Sequence, residues 1–85
     1  MPRRLSERML KRKVSRWGPI YRNHIVVVFQ DGKIALVNPL DETYSSVRAW
    51  NPWVREQYHR AASIRADGAT LAEVLAIAKA RVMQP

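Results

Sequence analysis

Two apolar, β-branched runs, residues 24–29 and 33–37, flank the tripeptide Gln30-Asp31-Gly32, and Asp-Gly between such runs is the strongest short-range signal for a β-hairpin. Any fold of this chain must be built round that antiparallel pair. The stretch Ile25-Val26-Val27-Val28-Phe29 is unbroken rather than alternating, as expected of a strand covered on both faces, so helices are expected to flank it.

The segments after the hairpin read as a mixture. Asn38-Pro39 ends the second strand, and Leu40, Asp41 and Glu42 form a turn. Residues 43–50 then lean toward a third strand, with Tyr44, Ser46, Arg48 and Trp50 sharing one face, although Asp41 could instead cap a short helix. Asn51-Pro52 starts a helix, with Asn51 as cap and Pro52 at the first helical position. Trp53, Val54, Tyr58, Ala61 and Ile64 would line one side of it to about residue 65, where Asp67-Gly68 closes it. Thr70-Leu71-Ala72-Glu73 has the form of a capping box opening a last helix. Its apolar stripe is Leu71, Val74, Leu75, Ala78 and Val82. Ala72, Ala76 and Ala80 make a second, smooth face, better suited to packing within the domain than to a partner, with homodimerisation as the alternative.

The fold class expected is therefore α+β: an N-terminal basic helix, an antiparallel β-hairpin with room for a third strand, and two C-terminal helices. At 85 residues one domain is expected, burying only about 60–65% of the surface its unfolded chain exposes. There is no cysteine, so no disulfide supplements that core and a reducing compartment suits the chain. The longest apolar run, Ile25–Phe29, is far short of the roughly 20 residues that span a bilayer. The charged start lacks the apolar stretch of at least about 7 residues of a secretory signal, so a cytoplasmic location is expected. An arginine-rich organellar presequence also fits the first 17 residues, which include Ser6 and Ser15 and only Glu7 as an acid.

Charge divides the chain in two. The net charge is +8, yet residues 1–22 hold eight basic residues (Arg3, Arg4, Arg8, Lys11, Arg12, Lys13, Arg16 and Arg22) against Glu7, whereas residues 23–85 hold seven basic and six acidic ones. The reading is a basic arm, 1–22, on a nearly neutral body, 23–85. Arg4, Arg8, Lys11, Arg12 and Arg16 recur at the spacing of one helix face, with Leu10, Val14 and Trp17 opposite, which predicts a helix over residues 5–16 stopped by Gly18-Pro19. Such a ridge of like charges destabilises an isolated helix until an anion neutralises it.

These features point to a small intracellular protein that binds nucleic acid, RNA or DNA, or associates with a nucleoprotein complex, gripping phosphates through the arm. Arg4, Arg8, Lys11, Arg12 and Arg16 are the expected phosphate contacts, with Arg3, Lys13 and Arg22 in support. Trp17 and Tyr21 border the arm where aromatic rings can stack on unpaired bases. The alternative is an inhibitor or adaptor that docks the arm on an acidic, nucleic-acid-like groove of a larger protein complex. Trp50 and Trp53 would then be interface anchors, although all three tryptophans could equally fill the core. A solvated basic end that only aids solubility, and an arm lying on an anionic membrane, are weaker readings.

No catalytic, metal or cofactor site is expected. Asp31, Asp41, Glu42, Asp67 and Glu73 fall at turns and helix starts that already explain them, and Gly18, Gly32 and Gly68 are isolated rather than forming a phosphate loop. His24, His59, Tyr21, Tyr58 and Arg22 are residue types a metal-free ribonuclease would use, but nothing in the pattern makes them converge. A helix-turn-helix is disfavoured, because the last helix is alanine and aliphatic where a recognition helix needs polar side chains.

Overall fold

The computed structural model describes residues 2–18, 23–47 and 64–83. In chain order these form β1 (Arg3–Arg4), α1 (Glu7–Leu10), β2 (Val14–Trp17), β3 (Ile25–Phe29), β4 (Ile34–Asn38), β5 (Thr43–Val47), β6 (Ile64–Arg65) and α2 (Leu71–Met83). The strands make one sheet in the order β1-β5-β4-β3-β2-β6, every pairing antiparallel. The class is thus α+β. No helix among the described residues is long and apolar enough to cross a membrane.

The central hairpin forms as its residues predict. Ile25 pairs with Val37 and Val28 with Ile34, and Gly32, at φ 88, supplies the left-handed turn residue of a three-residue loop. Its N–H donates to the Phe29 carbonyl at 2.9 Å, and Asp31 Oδ1 accepts the Lys33 N–H at 3.0 Å. Alternate residues of β3 go to opposite faces. Ile25, Val27 and Phe29 join Val14, Trp17, Ala35, Val37, Leu71, Val74, Leu75 and Ala78 in the main core. Val26, with half-buried Val28, Ile34 and Leu36, forms a second cluster. The helices of the described residues cover the first face, where Leu5, Met9 and Leu10 pack beside the α2 stripe. Residues 43–47 are the third strand, β5.

The long basic helix does not form. Ser6 caps α1, its hydroxyl accepting the Met9 N–H at 3.2 Å, but α1 ends after 4 residues and Val14–Trp17 is a strand. The misleading feature is the three-residue spacing of Val14 and Trp17, which suits one face of a helix and opposite faces of a regular strand. Here the register with β3 shifts between Val14 and Arg16, and the extra residue of the bulge turns both side chains to the same side. Val14 is 0% and Trp17 1% exposed. Gly18, at φ 125, ends the strand rather than a helix, its N–H donating to the Val26 carbonyl at 2.9 Å.

The expected helix beginning at Pro52 falls on residues outside those described, except for its last turn, and that turn is instead β6, paired with β2 through Trp17–Ile64 and Arg16–Arg65. The final helix opens as read: Thr70 donates its N–H to Glu73 Oε1 at 3.2 Å and Thr70 Oγ1 accepts the Glu73 N–H at 3.3 Å. Ala72, Ala76 and Ala80, expected to pack inside the domain, are exposed. Leu71, Val74, Leu75 and Ala78 fill the stripe that faces the sheet. Both outer strands, β1 and β6, are two residues long and carry arginine, a short charged border of the kind that discourages further strand pairing.

Candidate cationic surface

The segment carrying the charge is part of the sheet and the helical layer. Arg3 lies opposite Tyr44 and Arg4 opposite Thr43, and the next residue, Leu5, donates its N–H to the Glu42 carbonyl at 2.9 Å. Glu42 adopts φ 56, which aims that carbonyl at β1, while its carboxylate takes Lys79 Nζ of α2 at 3.0 Å. α1 then turns Leu10 inward and leaves Arg8 and Lys11 exposed. Lys13, also exposed, bridges through its backbone to Thr70 at the start of α2. Arg16 is exposed on the sheet face opposite Trp17.

The predicted contacts therefore part company. Arg4, Arg8, Lys11 and Arg16 sit on three different elements rather than on one ridge. Arg12 is held by its own domain: its guanidinium lies 3.8 Å from the Phe29 ring centroid and pairs with Asp31 at 2.8 Å. Trp17 is not a stacking platform, because its ring is buried, with the Arg81 guanidinium 5.4 Å from the ring centroid. Tyr21, Arg22, Trp50 and Trp53, together with His59 and Tyr58, lie outside the described residues.

What distinguishes the cations is the fate of the acids. Asp31 holds Arg12, Glu42 holds Lys79 and Asp67 holds Arg65. Asp41 Oδ2 accepts from Asn38 at 3.2 Å, and Glu73 closes the α2 cap. Arg3, Arg4, Arg8, Lys11, Lys13 and Arg16 are exposed and have no ion pair among the described residues. A shallow groove of 310 Å³ between α1 and α2, lined by Glu7, Leu10, Lys11, Thr70 and Ala72, places Lys11 in the company of the Glu7 carboxylate. It therefore exerts little pull on an anion.

The backbone N–H of Lys33 holds the Asp31 carboxyl below its ordinary 3.8, with the Arg12 charge and hydrogen bond adding to the effect. Because the unfolded chain takes up this proton first on acidification, the carboxylate stabilises the fold fully above that ordinary value. The contribution is lost as pH falls through the lower folded value. Acid titration of the melting temperature below about pH 4 should show a larger fall for the native chain than for Asp31→Asn; identical profiles would remove Asp31 from the acid response.

Sequence reading missed Arg65, since nothing local marks it, yet the β2–β6 pairing sets it directly opposite Arg16. Compared with family models, with curated proteins and with solved structures, the chain matches none.

Proposed function

We propose that this protein binds nucleic acid through its phosphates, using Arg3, Arg4, Arg8, Lys11, Lys13 and Arg16. The observation that carries this reading is the separation of charge. The acids of the described residues other than Glu7 are engaged by neighbouring groups, while six cations from residues 3–16 stand exposed with no ion pair among the described residues. Contacts of this kind position a polyanion without reading its sequence. Their spread over β1, α1 and β2 favours a backbone that passes around this part of the molecule over a recognition helix seated in a groove. Arg12 supports the surface instead of touching the ligand.

Neutralising about six phosphates gives log K against log salt a slope near −5 on a duplex, a loss of roughly a thousandfold between 50 and 200 mM. Fluorescence anisotropy with generic RNA and DNA fragments across that range tests the reading. A steep slope supports it. No binding even at the low-salt end would overturn it in favour of an acidic protein surface as the arm's partner, where steering charges act on association rate more than on affinity.

A further inference from the structure

We infer that Arg16 and Arg65 form a phosphate-binding clamp on the sheet face opposite the helices of the described residues. The two residues are register partners across β2 and β6. The Ala66 N–H donates to the Ser15 carbonyl at 3.0 Å, so the next pair, Arg16–Arg65, is of the non-hydrogen-bonded kind, whose Cα atoms approach to about 4.5 Å and whose side chains stand closest. The neighbouring pair, Trp17–Ile64, faces the main core. By strand alternation the two arginines share the opposite face, and both are exposed.

Like charges directly opposite each other on a sheet destabilise the pairing. Little within the described residues relieves them here. Arg16 has no ion pair among those residues, and Arg65 reaches only Asp67, at 3.3 Å, with side chains 74% and 72% exposed, a contact an incoming anion can displace. From register-paired positions on one face, two planar guanidinium groups can reach the oxygens of one phosphoryl group with N–H donors from both, the recognition in which arginine exceeds lysine. The anion cancels the repulsion that the empty pair carries. Arg16 faces Val28 across β2 and β3, so the clamp borders the half-buried Val28 and Ile34 of the second cluster.

That the phosphoryl group belongs to a nucleic-acid backbone rests on the function proposed above; the clamp itself does not. The test uses the full chain with Arg16→Gln, Arg65→Gln and the double variant. Each single variant is expected to weaken binding of a short single-stranded oligonucleotide about tenfold or more and to reduce the salt slope by about 0.7. The double variant should cost little beyond either single one, because one phosphate needs both groups. In parallel, inorganic phosphate should raise the melting temperature of the native chain above that in chloride of equal ionic strength, and should not do so for Arg65→Gln. If the native chain binds no oligonucleotide but keeps this phosphate response through Arg65, the clamp stands and the nucleic-acid reading falls. If Arg65→Gln binds oligonucleotide with unchanged affinity and slope and phosphate stabilises both proteins alike, the clamp is overturned while that reading survives.

Discussion

Trp17→Ala is expected to lower stability by about 3–5 kcal/mol, a fall in melting temperature on the order of 12–40 °C for a domain of this size. Trp17 is 1% exposed and is among the largest fully buried side chains of the main core. It sits where β2, β3 and β6 meet, opposite Val27 and Ile64. Deleting the indole loses its transfer free energy and leaves a cavity that a sheet on one side and helix α2 on the other cannot easily collapse to fill. With a total stability of only about 4–13 kcal/mol expected at this length, the loss takes a large share of the whole, and at the low end of that range the variant is unfolded. Trp17→Phe, which keeps an aromatic ring in the same site, should lose much less. Thermal or urea melts of the two decide the matter. A loss under about 1 kcal/mol for the alanine variant would contradict the ring's place in the core.

The second large effect is on affinity. Reversing Arg8, Lys11 and Lys13 to glutamate is expected to weaken nucleic-acid binding at 0.1 M salt by on the order of several hundredfold, from three lost phosphate contacts before any added repulsion. The melting temperature should change little, because all three side chains are exposed and unpaired among the described residues, where substitutions generally stay within about 0.5 kcal/mol each. Arg12 does not belong in this set, although its position in the charge pattern suggests it. Arg12→Glu would remove the stack on Phe29 and set a second carboxylate beside Asp31, lowering stability and confounding any affinity measurement. Unchanged affinity in the triple variant, measured by anisotropy alongside a melt, would sink the proposed function.

The contrast between Arg12 and its neighbours shows where a reading of the charge pattern stops. In sequence Arg12 belongs to the same regularly spaced set as Arg8, Lys11 and Arg16, and only packing separates it, stacked on the buried Phe29 ring, from the exposed Lys11 and Lys13 on either side of it. The helix expected over residues 5–16 failed for a related reason. Spacings of three and four residues are the mark of a helix face, but a bulge in a strand reproduces one such spacing by turning Val14 and Trp17 the same way. Propensity along this segment was too weak to decide, and burial of Trp17 against β3 and α2 outweighed it.

Sequence by itself determined the features whose causes are local. The Gln30-Asp31-Gly32 loop specifies its hairpin because Gly32 alone meets the left-handed backbone at no steric cost. Thr70 and Glu73 specify the start of α2 because each satisfies the other's N–H group. The concentration of positive charge in residues 3–16 is likewise a property of the chain, whatever it folds into. Tertiary structure alone decided which of those cations remain available, that Val14–Trp17 is a strand, and that Arg16 faces Arg65. Those outcomes depend on contacts between residues far apart in the chain, where the burial of one apolar face selects the register and the register then carries every polar side chain on the other face with it.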